Sequence, residues 1–327
     1  MTKRILVLGA SGFIGRAVVS ALAATSWAKP VAAVHRNKCV CDVPNIEFIH
    51  LDATDIAALQ RAAAGVDGIV NCVAGSPDTI ISAARALAAL MGSSAPPARL
   101  VHLSSMAVYG RAPGTVSESA PLRGDLNAYG AAKVTAEQLF AHSPTTIILR
   151  PGIVYGPHSP WWSDSIGQLL IARRLGNLAS RGEGVCNLLY IADAAGAICK
   201  VLAQPGLSGA YNLAMANPPS WNQYFASYAR ALGLDSIPHI SAAELVAEVW
   251  LRGPLLKITR LLGRSRDSDQ QAPILRPWLL DLCRHSLKLD VSRIERNIDM
   301  TWTSVTTALT LTASWFHGAR AIKPSES

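Results

Sequence analysis

Short apolar runs alternate with longer, alanine-rich segments through the first two-thirds of the chain. The short runs are rich in the Val, Ile and Leu that are typical of buried strands. The strand candidates are Ile5–Leu8, Val31–Val34, Glu47–His50, Gly68–Cys72, Leu100–Leu103 and Thr146–Leu149. The helix candidates between them are Phe13–Ala24, Ile56–Ala64, Thr79–Met91 and Ala128–Ala141. Strands separated by helices of this length predict an α/β fold with a doubly wound parallel sheet, because each crossover places a helix on the sheet.

The alternation breaks after residue 156, where prolines interrupt the pattern. A short strand–helix–strand pattern reappears over residues 187–215, and the remaining sequence is mainly helical with Pro and Gly interruptions. We therefore expect a core over residues 1–156. The remainder, 157–327, is expected to be a smaller, mainly helical part that binds the substrate, with 187–215 returning to the core.

The composition is that of a globular protein, since half of the 327 residues are apolar and 16% are charged. The first apolar run is too short for the central segment of a signal peptide, and no run approaches the roughly 20 residues that span a bilayer. We therefore expect a cytoplasmic protein. The six cysteines are scattered without two close pairs at zinc spacing, so we expect reduced thiols and no metal site.

The formal net charge of +8 would suit a nucleic acid, an anionic membrane or a phosphate-rich ligand. No basic run is interleaved with aromatic residues, so we expect no nucleic-acid partner. The basic, amphipathic segment 255–264 fits a bilayer surface, but a helix that lines the substrate cleft is the simpler interpretation. A phosphate-rich cofactor and a basic C-terminal part account for the excess charge.

A turn with three regularly spaced glycines links the first strand candidate to the first helix candidate. One glycine permits a tight turn, another lets backbone amides approach a pyrophosphate, and the third lets the helix and strand pack closely. The start of the helix adds free N–H groups and the positive end of its dipole. This arrangement predicts a Rossmann-type dinucleotide site. The residues that we predict there are Gly9, Ser11, Gly12, Phe13, Ile14 and Gly15.

The end of the second strand bears on the choice of cofactor. An acidic residue there would bind the ribose hydroxyls of NAD, but this chain has His35 and Arg36, and the next carboxylate is that of Asp42. A guanidinium pairs well with a 2′-phosphate and stacks on adenine. We therefore predict NADP over NAD. The alternative is that Arg36 only stacks on adenine and that both cofactors are accepted.

Two further strand ends supply candidate cofactor contacts. Asp52, followed by Ala53, comes after the third strand and is placed to accept a hydrogen bond from the adenine amino group. Cys72, Val73 and Ala74 end the fourth strand, where small side chains let a cofactor lie close. A packing role without cofactor contact remains open for Cys72 and Ala74.

Tyr129 and Lys133 form a Tyr-x-x-x-Lys pair in the last helix candidate. Residues four apart share a helical face, so the ammonium is placed to lower the pKa of the phenol towards the range useful for acid–base catalysis. Ser105, at the end of the fifth strand, is placed to hold a substrate oxygen. The pair alone is common by chance, with a solvated tyrosine and lysine as the alternative. Because the order of glycine turn, serine and Tyr-x-x-x-Lys is harder to obtain by accident, we predict that these three side chains are catalytic.

These segments together resemble the extended short-chain dehydrogenases/reductases of the NAD-dependent epimerase/dehydratase family. The resemblance covers most of residues 1–215 and is weak beyond them. It implies the catalytic roles given above, and it places Pro151 and Val154 beside the nicotinamide. It also implies a homodimer, since members of the family often dimerise through two helices from each subunit. The segments that match the family pattern are Gly9–Gly15, Ser104–Gly110, Tyr129–Lys133, Leu149–Pro157 and Tyr190–Ala195.

Departures from the family pattern narrow the choice of reaction. Dehydratases of the family carry an Asp-Glu pair directly after the catalytic hydroxyl, where this chain has Met106 and Ala107. We therefore expect no dehydratase activity. Many nucleotide-sugar epimerases hold the diphosphate with an Asn and an Arg, and the aligned residues here are Ile153 and Cys186. Losing both contacts would weaken diphosphate binding, although nearby arginines leave compensation open.

We therefore predict an NADP-preferring oxidoreductase that interconverts a carbonyl and an alcohol on a small, hydrophobic or non-nucleotide substrate. A nucleotide-sugar epimerase with tightly bound NAD(P) is the alternative. A non-catalytic NADP-binding regulator is disfavoured because the chain keeps both the tyrosine and the lysine. Trp161, Trp162 and apolar helices around 245–262 are candidates for a substrate pocket, with ordinary packing as the alternative for the tryptophans.

Overall fold

The computed structural model divides the chain into two compact units. The described residues are 2–35, 43–44, 46–141, 143–248 and 273–321. The first unit comprises 1–152, 191–216 and 289–302, and the second comprises 153–190, 217–288 and 303–327. Segment 289–302, which sequence analysis had grouped with the second part, therefore packs with the first unit. The reason is that helix 292–297 lies against the strand at 209–213.

The first unit is built on a parallel sheet of seven strands within the described residues. The strands within the described residues are β1 (Lys3–Leu8), β2 (Ala28–Val34), β3 (Glu47–His50), β4 (Gly68–Asn71), β5 (Arg99–Leu103), β6 (Thr115–Val116), β7 (Thr146–Pro151), β8 (Ile153–Tyr155), β9 (Leu188–Tyr190), β10 (Gly209–Leu213) and β11 (Lys288–Leu289). The order across the sheet is β3-β2-β1-β4-β5-β7-β10, and every neighbouring pair is parallel. The predicted α/β class with a doubly wound parallel sheet is confirmed.

Helices connect the strands of the sheet. The α-helices in the described part of the chain are α1 (Phe13–Ala23), α2 (Ile56–Ala63), α3 (Pro77–Met91), α4 (Ala128–Leu139), α5 (Ile166–Ile171), α6 (Ile191–Ala203), α7 (Trp221–Ala231), α8 (Ala242–Ala247), α9 (Pro277–Leu282), α10 (Ser292–Asn297) and α11 (Val305–Ala321). In the first unit, α1 packs against α6, while α3 packs against both α2 and α4. Among the described helices, none is both long enough and apolar enough to cross a bilayer.

The central strands carry apolar residues on both faces of the sheet, because helices cover each face. Leu6, Leu8, Val31 and Ile69 point into a core with α2, α3 and α4. The alternate residues are buried as well, since Val7 is fully buried. Continuous apolar strands of this kind are typical of parallel sheets. The carboxyl ends of parallel strands meet at one edge, which is where doubly wound sheets bind their ligands.

The second unit is described by its own packing. β8 and β9 form a short parallel pair, and α7 packs against α5 and α11. The side of α7 that faces inward carries large aromatic residues, all of them fully buried. They are Trp221, Tyr224, Phe225 and Tyr228.

Candidate active site

The glycine turn follows β1 and leads into α1. Gly9 has a φ of +70°, and a Cβ there would lie 2.9 Å from the carbonyl oxygen of Cys72. A Cβ on Gly15 would lie only 2.2 Å from the carbonyl oxygen of Gly9. Any larger residue at these two positions would therefore force apart β1, the end of β4 and the start of α1.

The other predicted residues of the turn stand where α1 begins. Gly12 is the N-cap residue, and its amide donates to the Gly9 carbonyl oxygen at 3.0 Å. Phe13 and Ile14 form the start of the helix, and Ser11 lies half-buried before it. The first amides of α1 thus face the edge of the sheet without helical partners of their own.

The ends of β2 and β3 lie side by side at the same edge. His35 Nε2 is 3.7 Å from Asp52 Oδ2. The other oxygen of Asp52 accepts hydrogen bonds from the amide and the hydroxyl of Thr54, at 2.9 and 2.7 Å. Ala53 is half-buried beside them. Arg36, on which the NADP prediction depends most, lies outside the described residues.

The loop after β4 is fixed by a buried asparagine. Asn71 accepts a hydrogen bond from the amide of Val73 at 3.0 Å, and its amide nitrogen lies 3.0 Å from Nδ1 of the buried His102 on β5. Burial raises the pKa of the Cys72 thiol to about 12, so this thiol stays protonated near neutral pH. Ala74 is exposed.

Ser105 follows β5 and starts a short helical turn, Met106–Tyr109. Its hydroxyl accepts a hydrogen bond from the amide of Ala107 at 3.2 Å, which fixes the side chain at the strand end. The same hydroxyl is close enough to that of Tyr129 for a hydrogen bond between them to lower the tyrosine pKa. The structure therefore places two of the three predicted catalytic groups close enough for one to affect the pKa of the other.

Helix α4 presents Tyr129 and Lys133 on one face. Asn127 caps the helix by accepting a hydrogen bond from the amide of Gly130 at 2.9 Å. A Cβ on Gly130 would lie 2.9 Å from the carbonyl oxygen of Ala107. The absence of a side chain at Gly130 therefore lets α4 approach the turn that begins at Ser105.

The electrostatics of this pair differ from the sequence-based expectation. The pKa of Tyr129 is raised by burial of its hydroxyl, which outweighs the lowering by Ser105, although 38% of the residue is exposed. Lys133 Nζ lies 5.7 Å from the centre of the Tyr129 ring and donates to the carbonyl oxygen of Leu103 at 2.7 Å. In this geometry burial raises the pKa of the phenol instead of the lowering expected from Lys133, whose ammonium is hydrogen-bonded to Leu103.

Burial also affects the ammonium itself. Lys133 is 3% exposed, and burial lowers its pKa to about 8, against the opposing influence of Cys72 and Glu137. The ammonium of Lys133 is therefore deprotonated at a pH much closer to neutral than the ammonium of an exposed lysine.

The remaining predicted residues divide between the two units. Pro151 ends β7 in the first unit, at the same edge of the sheet as the strand ends described above. Val154 lies in β8 of the second unit and is buried. In the second unit Ile153 and Cys186 are 3% and 0% exposed. Neither residue presents a polar group to solvent.

The two tryptophans of the second unit have different surroundings. Trp162 packs against Trp221 and Trp278, with ring centres 5.8 and 5.7 Å apart. Trp161 is 43% exposed and carries the guanidinium of Arg276 over its ring at 4.7 Å. Trp162 thus follows the packing interpretation, whereas Trp161 keeps an open face. Residues 249–272, which include segment 255–264 and most of 245–262, lie outside the described residues.

Sequence reasoning missed a buried polar group beside the site. Glu137 on α4 accepts a hydrogen bond from the Ser104 hydroxyl and is paired with Arg150. Its spacing of four residues from Lys133 was the available signal, because this spacing places both side chains on one helical face. Its partner Arg150 is distant in sequence, so the pairing required the fold.

A parallel sheet in this order, with a glycine turn between its first strand and first helix, is the architecture typical of dinucleotide-binding α/β proteins. The chain belongs to the NAD dependent epimerase/dehydratase family, whose model matches residues 5–214. The family expected from the sequence is thereby confirmed.

Three relatives illustrate what the chain is similar to, and each is either distant in sequence or matches only part of the chain. Protein YeeZ of Escherichia coli (strain K12) is 32% identical over 139 residues, which cover 42% of this chain and 47% of that protein. The chain thus matches about half the length of this curated relative. A dTDP-glucose 4,6-dehydratase from Bacillus anthracis, solved with NAD, has a TM-score of 0.73 at 19% identity over 98% of both chains. A UDP-glucose 4-epimerase from Thermus thermophilus, also with NAD, has a TM-score of 0.70 at 20% identity over 97% of this chain and 99% of that chain. These two likenesses show the fold.

Proposed function

We propose that the protein transfers hydride between a nicotinamide cofactor and a carbon that bears oxygen, with Tyr129 moving the proton. The observation that carries this proposal is the position of the buried Lys133, whose Nζ lies 5.7 Å from the centre of the Tyr129 ring, together with the influence of the Ser105 hydroxyl on the pKa of Tyr129. Ser105 would orient the substrate oxygen, and Tyr129 would donate its proton to that oxygen during reduction. A raised pKa keeps this phenol protonated near neutral pH, which suits a proton donor.

The edge of the sheet offers residues that fit a dinucleotide. The turn from Gly9 to Gly15 would hold the pyrophosphate on the amides of α1, and Asp52 with Ala53 would lie at the adenine. Cys72–Ala74, Pro151 and Val154 would lie near the nicotinamide. The cofactor would supply the hydride, and Lys133 would bind its ribose.

Replacing Tyr129 with Phe tests the proposed reaction. The variant keeps the ring but cannot move the proton, so kcat is expected to fall by about 100-fold or more while the cofactor still binds. Turnover would be measured by nicotinamide absorbance and cofactor binding by titration calorimetry. Turnover at the level of the natural chain in Tyr129→Phe would contradict the proposal.

We further propose that NADP is preferred over NAD. His35 and Arg36 stand where a carboxylate would bind the ribose of NAD, and a basic pair there suits a 2′-phosphate. Comparing kcat/KM for NADPH and NADH tests this preference. Arg36→Ala is expected to reduce the ratio by about tenfold, which is the effect of one charge-assisted contact. Equal or better use of NADH by the unaltered chain would refute NADP preference.

The substrate is proposed to be a small carbonyl or alcohol compound that carries no nucleotide. The support is that Ile153 and Cys186, at positions expected to hold a diphosphate, are buried and uncharged. Met106 and Ala107 cannot move a proton, so the dehydratase reaction is not proposed. We also propose that the second unit contributes apolar substrate contacts, with Trp161 as the first candidate because its ring is open to solvent.

A nucleotide-sugar 4-epimerase is the second candidate, because several proteins of this fold carry out that reaction, among them the Thermus thermophilus enzyme. Such an enzyme would keep its cofactor bound and show no net oxidation. Incubation with a panel of carbonyl compounds and NADPH, alongside UDP- and dTDP-sugars followed by NMR, separates the two functions. Epimerised sugar without NADPH consumption would favour the second candidate.

We also propose that the protein forms a homodimer and that it is located in the cytoplasm. The homodimer is proposed because members of the family often dimerise. Light scattering after size exclusion would give the mass in solution, and a mass near 34.7 kDa would refute the dimer. Fractionation of expressing cells would test the location.

A further inference from the structure

A buried carboxylate lies on the same face of α4 as the two predicted catalytic side chains. Glu137 follows Lys133 by four residues, just as Lys133 follows Tyr129, and this spacing stacks side chains along a helix. Glu137 is 4% exposed. Because a carboxylate at this depth is costly unless it is paired and hydrogen-bonded, its partners are informative.

The first partner is Arg150 at the end of β7. Its Nε and Nη2 donate to the two oxygens of Glu137, with distances of 3.0 and 2.6 Å for the shortest bond of each nitrogen. The remaining nitrogen, Nη1, donates to the Tyr109 hydroxyl at 2.8 Å and to the Glu118 carbonyl oxygen at 2.9 Å. The guanidinium is therefore held from several directions, and it fixes the carboxylate in turn.

The second partner is Ser104, whose hydroxyl donates to Glu137. Ser104 lies between two residues of the candidate site. Leu103 accepts the hydrogen bond of Lys133 on its carbonyl oxygen, and the Ser105 hydroxyl lowers the pKa of Tyr129. The amide of Ser104 also donates to Leu149 at 2.7 Å. Through Ser104, Glu137 thus restrains the segment from Leu103 to Ser105, which binds Lys133 at one end and carries the predicted catalytic serine at the other.

Glu137 also sets the charge around Lys133. The titratable groups that act on Lys133 or respond to it are Glu137 on α4, Cys72 after β4 and His102 on β5. Burial raises the pKa of Cys72 to about 12 and, with Lys133, lowers that of His102. Both of those groups are therefore neutral near pH 8, and the Tyr129 phenol keeps its proton as well. Among these described groups, Glu137 is the one carboxyl group, and it raises the pKa of Lys133.

We propose that Glu137 is a positioning residue of the active site, which orients Ser105 through Ser104 and keeps Lys133 in its charged form. The proposal rests on the proposed roles of Ser105, Tyr129 and Lys133. It assigns a task to a side chain that touches neither the proposed substrate nor the proposed cofactor.

Ser104→Ala tests the positioning. The substitution removes the bond to Glu137 and leaves the ion pair with Arg150 in place. We expect kcat to fall by about tenfold, because Ser105 loses its restraint, with little change in KM for the cofactor. A kcat equal to that of the natural chain would overturn this part of the proposal.

Glu137→Gln/Arg150→Met tests the charge. The double variant removes both members of the Glu137–Arg150 ion pair, so neither of these two side chains is left as an unpaired buried charge. The titration of Lys133 would be followed by NMR of the chain labelled with 13C-lysine, with Lys133→Met identifying the signal. We expect the pKa of Lys133 to fall by about one unit. This measurement needs no turnover, so it can support the proposal even where Tyr129→Phe shows the proposed reaction to be wrong.

Arg4→Met/Glu47→Gln is the matched control, since it removes an exposed ion pair from β1 and β3 of the same unit. It should leave both kcat and the Lys133 titration unchanged. If the Glu137 double variant does not fold, Glu137→Asp keeps the charge and withdraws the carboxylate by about one carbon–carbon bond. It should lower kcat as Ser104→Ala does. An unshifted Lys133 titration in the double variant, or an unchanged kcat in Glu137→Asp, would overturn the proposal.

Discussion

Lys133 occupies an environment that suits its proposed role at the expense of stability. The ammonium is almost fully buried, where desolvation penalises its charge, and a carbonyl oxygen and a carboxylate only partly offset this cost. With a pKa near 8, the ammonium is mostly charged at neutral pH, and neighbouring charges shift its protonation easily. The same shift must appear in the pH dependence of folding.

Lys133→Met is expected to change how stability depends on pH. Burial lowers the pKa of Lys133 from 10.5 to about 8 in the folded chain, so between these values the unfolded chain binds a proton that the folded chain does not. Stability of the natural chain therefore rises with pH in this window, relative to the variant. From about pH 7.5 to about pH 9.5, urea denaturation should move the free-energy difference by about 2 kcal/mol in favour of the natural chain.

The control for this prediction is Lys29→Met, which removes an exposed lysine from β2 of the same unit. Its stability should follow the natural chain across the same pH range. Parallel pH dependence of the Lys133→Met variant and the natural chain would show that the ammonium is not desolvated as the structure indicates.

At the level of elements, the site depends on how closely α4 approaches the turn after β5. The contact point is Gly130, which faces the Ala107 carbonyl oxygen at a distance that excludes a methyl group. Tyr129 precedes this glycine, and Ser105 begins the turn opposite. The separation of the two hydroxyls is therefore set by the packing of two backbone segments.

Gly130→Ala is expected to lower activity by about tenfold to 100-fold, since a shift of about one ångström can separate reacting groups. Alanine favours a helix by about 1 kcal/mol over glycine, but the clash should outweigh this gain and lower the Tm. The matched control is Gly318→Ala in α11, where an added Cβ meets no atom within 4 Å. This control should keep activity and gain stability. Full activity in Gly130→Ala would mean that the α4 contact does not set the geometry.

The helices of the first unit were largely predictable, whereas some strands and the polar contacts were not. The prediction of Ala128–Ala141 differs from α4 only at its C-terminal end, because apolar spacing and the Asn127 cap mark a helix. β2 begins three residues before its predicted start. Proline is disfavoured inside a strand, so Pro30 argued against including these residues. Two-residue strands such as β6 carry no periodic signal. The bond between Lys133 and Leu103 depends on a tertiary contact across thirty positions.

At the level of the whole molecule, the first unit is assembled from three separate segments of the chain. Asn212 on β10 joins them, and it is fully buried. Its amide nitrogen donates to the carbonyl oxygens of Val116 and Asp290, each at 3.0 Å, and its oxygen accepts from the Tyr109 hydroxyl at 2.6 Å. Tyr109 also accepts from Arg150, so this junction continues into the Glu137 network.

Asn212→Ala is therefore expected to destabilise the chain by about 3 kcal/mol, because it removes three side-chain hydrogen bonds that link the three segments at a buried position. Urea denaturation would measure the loss. The control is Asn297→Ala on α10, where a half-buried asparagine makes a single local bond to Arg293. The control should cost less than about 1 kcal/mol. If Asn212→Ala costs no more than the control, the three segments are held together by apolar packing alone, and the asparagine merely occupies the junction. A larger loss of stability, accompanied by a fall in kcat, would indicate that the junction at Asn212 also holds α4 in position.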